Sequence, residues 1–451
     1  MQIRLAFFAV FTVFVAASVL SAEELQIATF DVDASPPVGS PLAYDPTKEV
    51  SSPLSCRGII FIGNGQPVVL CAIDWLGVAN EAHDEFRERL ATAAGTTADR
   101  VSVHALHQHD APRCDFSAER ILAEAGYAGV SYDERFLRSV MVRAADAVTA
   151  AIDRASPVTH VGTGRAEVRE VASNRRILGD DGRVKVTRYT ACRDPEVRAM
   201  PVGTIDPMLK LVTFHNGDTT LAALTYYATH PQSYYRTGQA NPDFPGMARN
   251  ALQEETSVPH IHFNGAGGNI GAGKWNDGST ENRQVLADKV ADGMRRAWES
   301  LRKRPVTADD LGWKTADVSL PLGDHLVEGP LRAVLGDASA SVPDRLTAAK
   351  HLAWLQRTNA GKRITVSLLT VGDARILHLP GELFVEYQLA AQAMAPDAFV
   401  AMAAYGEYGP GYIGTQIAYS QGGYETSPGA SRVGPAVEEV LMAAMKTLLS
   451  E

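Results

Sequence analysis

Three hydrophobic, strand-like runs in this chain each end in metal-competent side chains and are then stopped by a proline, and no other feature constrains the fold as much. The first is Val101-Ser102-Val103-His104-Ala105-Leu106-His107-Gln108-His109-Asp110-Ala111-Pro112. Residues two apart in a strand share a face, so Val101, Val103, Ala105, His107 and His109 are expected on one side and His104 on the other. Pro112 cannot donate to a ladder and closes the strand, leaving two imidazoles at its end. Neutral imidazole offers a ring-nitrogen lone pair without the cost of a charge, and a His-x-His pair brings two such groups together.

The second run ends in Tyr227-Ala228-Thr229-His230-Pro231, and the third, Arg375-Ile376-Leu377-His378-Leu379-Pro380-Gly381-Glu382, adds a carboxylate after the turn. Two imidazoles and one carboxylate from separate strand ends are a common ligand set for a catalytic zinc that keeps a position open for water. Taken alone, Glu382 reads as a carboxylate favoured by the dipole of a helix N-terminus. Two loops complete the set. Gly406-Glu407-Tyr408-Gly409-Pro410-Gly411-Tyr412 continues to Tyr424-Glu425, and a phenol there can coordinate metal or donate to an oxyanion. Phe263-Asn264-Gly265-Ala266-Gly267-Gly268-Asn269-Ile270-Gly271-Ala272-Gly273 is glycine-rich enough for its backbone to approach a substrate or metal closely. Its spacing fits neither a dinucleotide fingerprint nor a phosphate-binding loop.

Strands are expected over 27–31, 58–62, 67–74, 100–107, 158–163, 209–215, 219–229, 259–263, 364–370, 374–379 and 398–402. Apolar spacings of three and four predict helices over 80–94, 133–155, 281–303, 342–357, 382–393 and 434–449. This mixture reads as α/β or α+β. No internal repeat or linker is evident, so 23–451 is expected to form one continuous domain. The opening Met1-Gln2-Ile3-Arg4, the apolar stretch to Leu20 and Ser21-Ala22 read as a secretory leader over 1–22, which predicts an exported protein. No later stretch has the ~20 apolar residues of a spanning helix, leaving a soluble chain or one in peripheral membrane contact. A net charge of −10 without a basic stripe excludes nucleic acid as a partner. Arg302-Lys303-Arg304 is expected at a helix C-terminus, where cations favour the free carbonyls. Of the cysteines, Cys56 and Cys71 are the best disulfide candidates, provided that a turn centred on Gly63-Asn64 sets them face to face.

In this order the pieces resemble the neutral ceramidases, zinc amidases that cleave the N-acyl bond of ceramide. Asp31-Val32-Asp33 with Pro36-Pro37-Val38-Gly39 is similar to their opening stretch, and Leu106-His107-Gln108-His109-Asp110-Ala111-Pro112 to their His-x-His segment. Tyr227-Ala228-Thr229-His230, Pro380-Gly381-Glu382 and Gly411-Tyr412-Ile413-Gly414-Thr415 with Tyr424-Glu425 follow the same likeness. The resemblance implies a multilayer αββα catalytic domain and zinc (Zn2+) held by His107, His230, Glu382 and Tyr412. It further implies His109 acting on the scissile carbonyl, Arg175, in Asn174-Arg175-Arg176, as a further catalytic candidate, and a small-molecule or lipid amide as substrate. Asp110 stands where the family has serine, and we expect its carboxylate to relay a proton. The family's essential serine is Gly271 here, and the family's immunoglobulin-like C-terminal domain is not expected. Those departures keep two other readings open, a zinc hydrolase of a different amide and a secreted non-catalytic binding protein.

Overall fold

The structure, a computed structural model, describes residues 24–450, so the leader expected over 1–22 lies outside the described residues. Among the described residues no helix is long and apolar enough to cross a membrane.

The chain repeats one connectivity three times. Each unit has three antiparallel strands, a helix, a fourth strand parallel to the third, and a closing helix. The first unit uses Gln26–Asp33, Ser55–Ile62, Val68–Ile73, the helix Asn80–Ala94, Val101–Ala105 and the helix Glu134–Ile152. The second uses His160–Glu167, Met208–Asn216, Thr219–Tyr227, the helix Asp243–Thr256, His260–Asn264 and the helix Glu281–Glu299. The third uses Leu311–Val318, Ile364–Val371, Ala374–His378, the helix Val385–Met394, Phe399–Ala403 and the helix Val437–Leu449. A parallel pair cannot be joined by a tight turn, which is why a helix intervenes before each fourth strand. Sequence periodicity showed no such repeat because the units share topology and not residues.

The inner faces of the three sheets pack on one another through Phe61, Leu70, Phe214, Leu224, Leu369 and Ile376. Helices cover the outer faces, with Phe86 and Met141 on the first sheet, Phe244 and Met294 on the second, and Leu441 beside the third. The expected helix–sheet–sheet–helix layering holds, joined by the third sheet.

Each fourth strand lies at a sheet edge, where unpaired backbone groups need partners. At their C-terminal ends these three edges hydrogen-bond in a ring. Ala105 N–H donates to Tyr405 O at 3.0 Å, Ala404 N–H to Asn264 O at 2.9 Å, and the Asn264 side-chain amide to Leu106 O at 2.6 Å. Around the ring the backbone leaves extended geometry: His107 has φ 70° and Tyr405, two residues beyond its own strand just as His107 is, has φ 60°. The expected strand over 100–107 therefore stops at Ala105.

Several other expectations change. The helix from Glu281 ends at Glu299, and Arg302-Lys303-Arg304 opens an edge strand, Arg302–Pro305, along His160–Thr163, where lysine, arginine and proline discourage further pairing. Glu382 does not start a helix: it pairs as Glu382–Leu383 with Tyr412–Ile413 in a two-stranded parallel ladder. The hairpin register sets Gly58, not Cys56, opposite Cys71. Both cysteines are thiols, their sulfurs 3.4 Å apart.

The first two units are also tied by charge. The Arg249 guanidinium grips Asp74 through both oxygens at 2.7 and 2.9 Å, while Ser55 donates its N–H and hydroxyl to the same carboxylate. Burial opposes ionisation of Asp74, yet Arg249 and these bonds hold its carboxyl below the usual range. Asp74→Ala leaves the Arg249 cation buried alone and should cost about 3–5 kcal/mol in chemical denaturation, with Arg249→Met in the same chain restoring much of it. Because the folded pKa is depressed, this contribution is complete above about pH 4 and fades as pH falls through the lowered folded value.

Candidate metal centre

All three units deliver side chains to the space beneath the ring. His107 comes from the segment after the first unit's fourth strand, His230 from just beyond the second unit's third strand, and Glu382 and Tyr412 from the third unit's ladder. Glycine makes the approach possible. A Cβ on Gly267 would lie 2.5 Å from Thr229 O and one on Gly268 2.2 Å from Glu382 O, so this loop threads between the two ligand-bearing backbones. The glycine-rich segment thus packs close behind the candidate metal centre, the near approach of backbone expected from its composition.

His107 Nε2 stands 3.2 Å from His230 Nε2 and 3.2 Å from Glu382 Oε2. His230 Nε2 is 3.9 Å from the same oxygen. These three groups are at most 3% exposed. The opposite ring nitrogens decide the tautomers: His107 Nδ1 donates to Leu76 O at 2.7 Å and His230 Nδ1 faces Gly267 O at 3.4 Å. Both lone pairs therefore sit on Nε2 and point at one spot, the arrangement that carbonyl acceptors on the far ring nitrogen impose on metal-binding histidines. Tyr408 donates to Glu382 Oε1, whereas Oε2 is buried without a partner. Two lone pairs and a carboxylate oxygen without a hydrogen-bond partner face one another, an arrangement that a divalent metal with nitrogen and oxygen ligands fits. Burial resists ionisation of Glu382, but His107, Tyr408 and Tyr412 hold its pKa down.

His109 is different. Its Nε2 lies 3.1 Å from His230 Nε2, so position alone would admit a third imidazole ligand. However, Gln232 donates to His109 Nδ1 at 3.2 Å, its amide oriented by Thr190, whose hydroxyl donates to Gln232 Oε1 at 3.1 Å. An accepting Nδ1 puts the proton of His109 on Nε2, making this imidazole a donor toward the centre. Burial, with His107, Arg175 and Arg113 nearby, pushes its pKa well down, and burial with Arg175 does the same for His230, so both rings are neutral.

Behind Tyr412, Arg175 reaches the phenol oxygen at 3.2 Å and is held by Glu425 at 2.9 Å. Burial pushes the Tyr412 pKa up and the Arg175 cation works against it. Arg175 is itself 1% exposed and stands behind Tyr412, so its contact with the centre runs through Tyr412. Asp110 does not face the metal centre. Its Oδ2 accepts from the N–H and hydroxyl of Thr237, pinning the loop that follows His230, and this replaces the expected proton relay. His378, from the third run, packs with His104 and Trp313 away from the centre. At Gly271 a Cβ would meet Arg175 Cδ at 3.1 Å and Thr190 Oγ1 at 3.2 Å, so the Thr190 hydroxyl occupies the space beside Gly271.

Sequence reasoning missed Tyr44, Thr190, Gln232 and the role of Tyr408. Tyr44 stacks on His109, ring centroids 5.7 Å apart, and its hydroxyl lies 3.1 Å from Nδ1. Gln232 follows His230 by two residues, the one local signal among them. A second acidic and imidazole group, His83, Asp84 and Glu407, already holds its cation, the Arg357 guanidinium.

No family model matches this sequence and no curated protein matches it. Solved structures do. A ceramidase complexed with C2 superposes with a TM-score of 0.69 at 15% identity, covering 94% of this chain and 75% of the other. The neutral ceramidase from Pseudomonas aeruginosa gives 0.68 at 16%, covering 95% and 74%. The chain has the fold of these ceramidases across nearly its whole length.

The geometry sets a direct expectation for elemental analysis. The purified chain should hold one divalent ion, lost in His107→Ala, His230→Ala and Glu382→Ala but retained in His109→Ala; equal loss in the last would mean a three-imidazole site.

Proposed function

We propose that this chain is a zinc-dependent hydrolase of N-acyl amides, with His107, His230, Glu382 and Tyr412 holding the metal. The observation that carries the reading is the unpartnered Glu382 Oε2 facing two histidine lone pairs at the wall of a cavity of about 470 Å³. The two ceramidases whose fold it shares support the same class of reaction. Zinc in such a ligand set supplies Lewis acidity that polarises an amide carbonyl and acidifies water.

The protein groups divide the remaining work. His107, His109, Glu382 and Tyr412 all line the cavity, so an amide bound there meets the ligands and the His109 proton together. His109 holds that proton at Nε2 and donates it to the carbonyl oxygen as charge builds there. Thr190 and Gln232 fix the tautomer, which gives the missing hydroxyl at Gly271 a substitute in the same place. Arg175 is a positioning residue: its cation favours the ionised phenol of Tyr412 and Glu425 keeps it aligned. In the overall reaction the oxygen of water joins the acyl carbon, the C–N bond breaks and the amine leaves with the proton. The leader-like segment over 1–22 supports a site of action outside the cytoplasm.

Chelation should abolish amide hydrolysis and zinc should restore it. His109→Ala should keep its metal yet lose about a hundred- to a thousandfold in kcat, as expected for removal of an oxyanion donor. Gln232→Ala, which only frees the ring, should lose about ten- to a hundredfold. Full activity in metal-free protein, or in His109→Ala, would sink the assignment.

A further inference from the structure

The cavity that exposes His107, Glu382 and Tyr412 is also lined by Arg113, Arg236, Lys350 and Arg432. Among the described residues no carboxylate lies within salt-bridge distance of any of the four, in a chain whose net charge is −10. Their contacts are of other kinds. Arg113 and Arg236 lie over the Tyr44 ring, 4.9 and 5.2 Å from its centroid, beside His109. Arg432 is 5% exposed, gives one bond to Gly409 O at 2.6 Å and has a buried Nε with no partner. Lys350 projects from the helix Val342–Asn359 and makes no hydrogen bond.

The acids in the same walls do not balance them. Glu382 faces the histidines. Asp115 accepts from Asn80 and caps a helix through Ala118 N–H, and burial raises its pKa to about 6. Asp45 is the third, with a buried oxygen that has no partner. Burial, with Arg432 and Arg113 nearby, pushes the Lys350 ammonium well below the ordinary lysine range, while Asp115 and Glu382 work against that shift. Leu42, Val130 and Leu346 supply apolar surface in the same cavity.

We infer that the substrate is an amide bearing an anionic oxygen group, in the simplest case an N-acyl amino acid whose carboxylate meets Lys350, Arg113 and Arg432 while its acyl chain follows the apolar wall. Arg432 is a buried cation without a carboxylate partner, which is costly, and the half-buried Arg113 and Lys350 in the same cavity wall complete a donor set that a planar oxyanion satisfies. The inference rests on the amide-hydrolase reading and names its substrate class. Hydrolysis of such a compound leaves the carboxylate untouched: water oxygen joins the acyl carbon, the C–N bond breaks, and the amino acid leaves with the proton on nitrogen.

The test compares N-dodecanoylglycine, N-dodecanoylphosphoethanolamine and the neutral N-dodecanoylglycinamide in two assays. One is kcat/KM with zinc-loaded protein, and the other is calorimetric binding to His109→Ala, which needs no turnover. An anionic amide should be favoured over the glycinamide by about tenfold or more in both assays. Lys350→Met and Arg113→Gln, checked for folding by circular dichroism, should each cut that ratio by about tenfold. A ratio near one, or one that both variants leave intact, overturns the anion site, even if the neutral amide is hydrolysed well. Binding preference without hydrolysis of any compound keeps the anion site and overturns the amide-hydrolase reading instead. Preference for the phosphate over the carboxylate keeps the site and reassigns its anion.

Discussion

The ring of hydrogen bonds that joins Ala105, Leu106, Asn264, Ala404 and Tyr405 is the constraint on which the rest of this structure depends. Three sheets with exposed edges would each invite pairing with another chain, and here the edges satisfy one another at one end. Closing the ring forces the backbone out of extended geometry immediately afterwards. His107 and Tyr405 both adopt left-handed φ values and their rings stack with centroids 4.7 Å apart. A non-glycine residue in that region costs of order 1–3 kcal/mol and persists only where its surroundings over-determine it. That cost turns the His107 imidazole toward His230 and Glu382 instead of along the strand.

The lining of the candidate centre sets the tautomers of its imidazoles. Carbonyl acceptors on Nδ1 aim His107 and His230, a donor on Nδ1 leaves the proton of His109 on Nε2, and a tyrosine on Oε1 leaves Oε2 free. Each assignment is made by a neighbour at hydrogen-bond distance, and none by the identity of the ligand residue alone. Three histidines of the same type within one cluster can therefore hold two different jobs.

Much of this was legible in the sequence, and what was not has physical reasons. His107, His230, Glu382 and Tyr412 were readable because a strand end followed by proline or glycine is a strong local signal, and the structure brings all four together. The face-sharing argument for His107 and His109 was right about their proximity and wrong about the cause, since the strand stops at Ala105 and the left-handed turn does the placing. The helix Asp243–Thr256, which carries Arg249, went unread because Pro245-Gly246 looks like a break, although proline is tolerated in a first turn. Asp110 was misread because a carboxylate next to a histidine pair suggests chemistry, whereas its Thr237 partner lies far along the chain. Gln232, Thr190 and Tyr44 could not be found by spacing, because their meaning is entirely a matter of who faces His109 in space.

The candidate ligands come one from each of the first two units and two from the third, so the cluster is complete only when all three units have docked. A bound ion would then act as a rivet through the whole molecule, adding stability in proportion to the logarithm of its free concentration over its dissociation constant. Metal supply would thereby govern how long the folded protein persists.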